Sequence, residues 1–168
     1  MKKREAGIRT KILNPVSMLC LGLMIGVVTR LFDIYATNLG EIFSQVAIWI
    51  LMGTLIAIYS KTAKHAMLNV LPFCLGMLVT YYAVAAISRG VYSKVFIVGW
   101  TIFALCSPVM AYFAWLTKER GVVPKILSIG IVAVSVLSSI LLFDRLRIYD
   151  FIIDGVLIYF LFFKKVYR

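Results

Sequence analysis

Six long and uninterrupted apolar segments make up most of this chain, and they limit what it can fold into. A helix needs about 20 consecutive apolar residues to cross a bilayer. Hydrocarbon offers no water to backbone N–H and C=O groups, so unbroken apolar segments of this length predict helices. We therefore predict an all-α integral membrane bundle of six transmembrane helices. It forms one membrane domain, residues 1–168, with helices at about 13–36, 39–59, 66–88, 92–117, 122–143 and 148–163.

The composition is typical of a membrane protein and leaves no stretch for a soluble domain. The chain is 62% hydrophobic and 15% charged, whereas soluble domains are roughly 45–50% apolar and about 25% charged. The net charge of +11 comes from short clusters between the apolar segments. A nucleic-acid-binding surface has a continuous basic stripe instead. We therefore predict no nucleic-acid partner, and the lipid bilayer is the expected partner.

The basic residues also predict an orientation. Of the 18 Lys and Arg residues, 13 lie in the N-terminus, the C-terminus and the loops at 60–65 and 117–125. Loops rich in Lys and Arg stay on the cytoplasmic side. We therefore predict a multi-pass protein of the cell (plasma) membrane with both termini in the cytoplasm.

Small residues spaced one turn apart predict where helices pack closely. Gly22 and Gly26 share one face of the first helix, because residues four apart lie above one another. Small residues in such positions let two membrane helices approach. The predicted helix-packing residues are Gly22, Gly26, Gly53, Ala57 and Gly76.

The polar side chains on the predicted outer half are the candidate functional residues. Arg30 is the deepest cation there and Asp154 the deepest acid. Charged side chains inside a membrane normally face the protein interior and find a partner. We therefore predict that helices one and six meet there and that Arg30 is neutralised by Asp154, Asp150 or Asp33. The candidate substrate-binding residues are Arg30, Asp33, Glu41, Gln45, Tyr81, Tyr82, Asp150 and Asp154.

Two functions from different classes are compatible with this group. In the first, it forms an outward-facing polar pocket between helices 1, 2, 3 and 6 that binds or transports a small charged or zwitterionic solute. In the second, it is a structural ion-pair network in a non-catalytic accessory or immunity-type membrane protein. A path for protons or ions is a further alternative for the same residues.

The sequence favours a protein without enzymatic activity. It contains no HExxH, P-loop or GxGxxG motif, and His65, its single histidine, lies in a predicted loop. Asp150 and Asp154 as a carboxylate pair near lipid headgroups would give a third hypothesis, a lipid-modifying membrane enzyme. We predict no cofactor and no metal site. The cysteines fall in separate apolar segments with no metal-binding spacing: Cys20, Cys74 and Cys106.

The size, the predicted topology and the placement of polar residues resemble the S components of energy-coupling-factor transporters. The resemblance covers the whole chain and implies six helices, cytoplasmic termini and a solute pocket that faces outward. It also implies a coupling subunit as membrane partner, which would contact a small-residue surface of the first helix, here Gly22 and Gly26. The chain is similar, too, to small bacterial polytopic membrane proteins of no known function.

Overall fold

The computed structural model describes residues 12–36, 40, 42–43, 45–88, 94–143 and 146–166. Within them the fold is all-α. The helices are α1 (Pro15–Tyr35), α2 (Val46–Tyr59), α3 (Ala63–Ile87), α4 (Lys94–Leu116), α5 (Val122–Phe143) and α6 (Ile148–Ile158), and α6 continues as a π-helical segment, Tyr159–Phe163.

Four of these helices are long and apolar enough to cross a membrane. They are α1 with 21 residues, α3 with 25, α4 with 23, and 20 residues of α5. Most side chains on the outside of these helices are large and apolar, including Val95, Phe96 and Ile102 of α4. The chain is therefore a membrane-embedded, multi-pass protein. Two helices are shorter, α2 with 14 residues and α6 with 11.

The second apolar segment is not one continuous helix. Ile42 and Phe43 are helical, but Gln45 has an extended backbone with φ −74° and ψ 137°, and α2 starts after it. The indole N–H of Trp49, in the first turn of α2, donates a 2.8 Å hydrogen bond to the Phe43 carbonyl. This bond satisfies one carbonyl that the interruption leaves without a helical partner.

The helices alternate in direction, and α1 and α3 form a parallel pair. Asn69 donates to the Leu13 carbonyl at the start of both helices. Near their other ends, Tyr81 donates to Asp33. We call the end of the bundle where α1 finishes the Asp33 end, and the end where α2 finishes the Ser60 end.

Two buried apolar clusters hold the bundle together. The larger cluster joins α1, α2, α3 and α4 around Phe73, which is 1% exposed. The smaller cluster joins α2 to α6 through Ala47, Leu51, Ile153 and Leu157, with side chains of α5 packed against it. The short helices α2 and α6 are therefore neighbours, and each also packs against α5.

Candidate functional site

The α1–α3 interface is the closest helix contact that the predicted small residues make. A methyl group on Gly22 would overlap the backbone carbonyl of Phe73, and one on Gly76 would lie 2.9 Å from the Leu19 carbonyl. Gly26 lies equally close to the backbone at Met77. These glycines let two backbones touch, and Thr80 then donates a 2.8 Å hydrogen bond to the Leu23 carbonyl across the gap.

The other two predicted packing residues lie on α2. A Cβ on Gly53 would be 3.8 Å from the Val70 side chain, which is an ordinary contact distance. Ala57 is fully buried in the larger cluster. The closest backbone approaches of these five small residues are therefore made by the glycines of α1 and α3.

Arg30, Asp33 and Tyr81 form one polar group at the Asp33 end. Arg30 and Asp33 are 3.6 Å apart, and their side chains are 15% and 18% exposed. The Tyr81 hydroxyl donates a 2.6 Å hydrogen bond to Asp33, and the Arg30 guanidinium lies 5.8 Å from the centre of the Tyr81 ring. Gly40 passes directly over Asp33, since a Cβ there would lie 2.6 Å from its carboxylate. We call these four residues the Arg30 group.

One further predicted residue, Tyr82, borders this group. The Tyr82 ring stands edge-on to the Tyr81 ring, with 5.2 Å between the ring centres. Glu41 lies outside the described residues.

The two acidic residues of α6 form a second polar group, on the side of α5. The Ser135 hydroxyl donates a 2.6 Å hydrogen bond to Asp154. Asp154 is 7% exposed, and Asp150, one turn away, is fully buried. One Asp150 oxygen accepts the Arg147 backbone N–H at 2.8 Å, which caps α6. The other oxygen, Oδ1, has no hydrogen-bond partner among the described residues.

These two groups do not merge into the single pocket that the sequence predicts. Arg30 forms its ion pair with Asp33 of its own helix, and neither Asp150 nor Asp154 pairs with it. The neighbours of α6 are α2 and α5, whereas α1 packs mainly against α3. The physical reason is the glycine face of α1, which α3 covers. The sequence predicts a contact between helices one and six, but α1 packs against α3 instead.

Gln45 belongs to neither polar group, because its side chain makes no hydrogen bond among the described residues. Its side chain is fully buried, and neither the amide oxygen nor the amide nitrogen has a hydrogen-bond partner within the described part of the chain. It occupies the N-cap position of α2 but makes no capping bond. A buried amide without partners costs free energy, of order 1–3 kcal/mol. Such a residue calls for an explanation beyond packing.

Comparison of the sequence with known families identifies the family of this chain. Residues 5–148, well over half of the chain, match a family of unknown function, DUF6518. The chain belongs to the DUF6518 family. The DUF6518 match includes Arg30, Gln45 and Ser135, and it ends at the first residue of α6, before Asp150 and Asp154. No curated protein and no solved structure matches the chain.

This DUF6518 protein has a hydrogen-bond network at the Ser60 end that the sequence analysis missed. The buried Asn69 amide donates to the Ser60 hydroxyl at 3.1 Å, and Trp115 of α4 donates to the Ser60 carbonyl at 3.2 Å. Lys118, just after α4, donates to the carbonyls of Leu161 at 2.9 Å and Lys164 at 3.0 Å. In the sequence, the indication of this network is Asn69, a polar residue within the third apolar segment.

His65 lies at the start of α3 in this DUF6518 chain. Its backbone N–H is accepted by the Thr62 hydroxyl at 3.3 Å, and its ring nitrogen Nδ1 is 2.8 Å from the same oxygen. Both contacts belong to the N-terminal cap of the helix. Across the described residues, no three His, Cys, Asp or Glu side chains are grouped so as to hold a metal ion.

Proposed function

We propose that this protein binds a small, positively charged or zwitterionic solute within the membrane, as a transporter or as the solute-binding part of one. Its binding residues would be Asp150 and Asp154 of α6, with Ser135 of α5. One observation carries the proposal: among the described residues these two buried carboxylates have no basic side chain as a partner.

The physical argument starts from the cost of a buried charge. A carboxylate without a counter-charge in an apolar interior either takes up a proton or binds a cation. Ionisable residues inside a membrane therefore mark solute, ion or proton sites. Ser135 supplies one hydrogen bond to Asp154, which leaves most of its negative charge for a ligand to neutralise.

The test is ligand-dependent thermal stability of the protein in lipid nanodiscs. The probes are sodium, ammonium, methylamine and the twenty standard amino acids. We expect one of these probes to raise the melting temperature of the wild type and to lose that effect in Asp154→Asn. Asp33→Asn is the matched control, because Asp33 already pairs with Arg30, and it should keep the shift. No shift with any probe, or equal shifts in Asp154→Asn and wild type, would contradict the proposal.

A second candidate function is a non-catalytic accessory membrane protein, and the Arg30 group favours it. Asp33 pairs with Arg30 and accepts a hydrogen bond from Tyr81, so the charges of this group balance without a ligand. Gentle purification from the native membrane, with partners identified by mass spectrometry, separates the candidates. A stoichiometric partner with no solute dependence supports the accessory role. A coupling subunit with its ATPases supports a transporter module like those with S components. In that module the partner would need a surface other than Gly22 and Gly26, which α3 covers.

We also propose that all six helices lie in the plasma membrane with both termini in the cytoplasm. The support is the excess of Lys and Arg in the termini and in the loops at the Ser60 end, including Lys61 and Lys64. Single cysteines at positions 61 and 94 in a cysteine-free background test the orientation. A membrane-impermeant maleimide added to intact cells should label position 94 and leave position 61 unlabelled. The reverse pattern would invert the topology.

A further inference from the structure

Among the described residues, the interruption at Gln45 leaves hydrogen-bonding groups without partners at the start of α2. The N–H groups of Val46, Ala47 and Ile48 open α2, and the Gln45 side chain accepts no hydrogen bond from them. Such N–H groups carry the positive end of the helix dipole and favour an anionic group. The Gln45 amide, fully buried and without a partner, lies at this same helix end.

The start of α2 lies close to the level of the α6 acids. The rings of Tyr59 and Phe160 are in contact, with centres 6.2 Å apart, and this fixes the register of the two helices. Counted back from there at about 1.5 Å per residue, Gln45 and Asp150 differ in height by roughly 6 Å, about one helical turn. Ala47 and Leu51 pack with Ile153 in the smaller cluster, so α2 and α6 are in contact two residues after Gln45 and three residues after Asp150.

From this arrangement we propose that the N-terminus of α2 and the Gln45 amide bind the carboxylate of a zwitterionic ligand whose ammonium group binds at Asp150 and Asp154. The ligand class is a small amino acid or a close analogue. This inference rests on the proposed function and specifies the ligand of the same site.

A zwitterion satisfies both halves of the site, and a simple ion satisfies one. A cation alone would leave the N–H groups of α2 and the Gln45 amide without partners, at a cost in free energy. An anion alone would bind about one helical turn above the level of the buried Asp150 carboxylate and be repelled by it. Asp150 Oδ1, which lacks a partner among the described residues, is the acceptor that an ammonium group requires.

Amino acids and their methyl esters test the carboxylate half directly, because the ester keeps the ammonium group and loses the negative charge. Binding is measured by titration calorimetry on the full chain in nanodiscs. We expect at least one standard amino acid to bind the wild type about tenfold more tightly than its ester, the value of one charge-assisted hydrogen bond. In Gln45→Leu the amino-acid affinity should fall about tenfold, and the ester affinity should fall less, because the ester carbonyl is an uncharged acceptor.

The unliganded stability of Gln45→Leu adds a second readout. Removing a buried amide that has no partner should leave the melting temperature unchanged or raise it, since the leucine has no polar group to satisfy. A purely structural role for Gln45 predicts the opposite, a lower melting temperature with ligand affinity unchanged. Gln45→Asn keeps the amide and should retain part of the amino-acid preference.

The outcomes distinguish this inference from the proposed function. If the esters bind as tightly as the amino acids and Gln45→Leu has no effect, while binding still depends on Asp154, the zwitterion inference is overturned and the proposed function stands. If only sodium or amines bind, and their binding depends on Asp154, the zwitterion inference is again overturned and the proposed function again stands. If no probe binds the wild type, both are overturned.

Discussion

Ser135 on α5 donates a 2.6 Å hydrogen bond to Asp154 on α6, and it is the one side chain of the described residues seen bonded to that carboxylate. Replacing Ser135 with alanine should therefore leave a buried acid unsatisfied. We expect Ser135→Ala to lower the free energy of unfolding in detergent micelles by about 1–3 kcal/mol. The adjacent Ser138→Ala is the control, since its hydroxyl bonds to a carbonyl of its own helix. Equal losses in the two variants would show that the bond to Asp154 is not stabilising.

The glycine contact between α1 and α3 predicts a large effect from one methyl group. In Gly22→Ala the new Cβ overlaps the Phe73 carbonyl, so the two helices must separate. Overpacking of this kind costs about 1–3 kcal/mol of unfolding free energy. Gly99→Ala on α4 is the matched control, because no atom lies within 4 Å of its Cβ position. Urea or SDS titration of the two variants should separate them clearly, and similar midpoints would argue against a backbone contact at Gly22.

The Tyr81 hydroxyl should stabilise the Arg30 group. Tyr81→Phe removes the donor to Asp33 and leaves a half-buried carboxylate with Arg30 as its remaining partner. We expect a loss of about 1–3 kcal/mol in the free energy of unfolding. Tyr35→Phe, at the same end of α1 but 82% exposed, should have no measurable effect. An unchanged midpoint for Tyr81→Phe would mean that the bond to Asp33 contributes no net stability.

Lys118 should hold the end of α6 in place. Its ammonium group bonds to the carbonyls of Leu161 and Lys164, which have no helical donors at the end of the π-helical segment. In Lys118→Met we expect amide hydrogen exchange in residues 160–166 to become about tenfold faster, as the last turn opens more often. Lys125→Met, which changes an exposed lysine on α5, serves as the control. Unchanged exchange in Lys118→Met would indicate that water satisfies those carbonyls equally well.

The all-α membrane fold could be predicted from the sequence because it depends on the length of apolar segments, a property read directly from the chain. The positions of α1, α3, α4 and α5 follow from that length and from caps such as Asn14 and Thr62. The break at Gln45 could not be predicted in this way. No proline or glycine stands at that position, and the bond from Trp49 to Phe43 that accompanies the break appears only in three dimensions.

The candidate site was predicted only in part, since sequence position indicates depth in the membrane and not direction around the bundle. The sequence predicts that Arg30 and Asp154 are buried polar residues, and in the structure Arg30 is partly exposed and Asp154 is buried. Which helix each one faces depends on packing between distant segments. The glycine face of α1 meets α3 at Phe73, and Asp154 meets Ser135 on α5. Arg30 and Asp154 have similar predicted depths, but these contacts place them in two different polar groups.

The parallel contact of α1 with α3 has a consequence for biogenesis. About 50 residues separate Gly22 from the Phe73 backbone that it touches, so at 5–20 residues per second roughly 3–10 s of synthesis pass between them. The same interval separates the emergence of α1 from the ribosome and the emergence of α3. The glycine face of α1 must wait beside the translocon, shielded by lipid or by an insertase, until α3 arrives and α2 has turned the chain back.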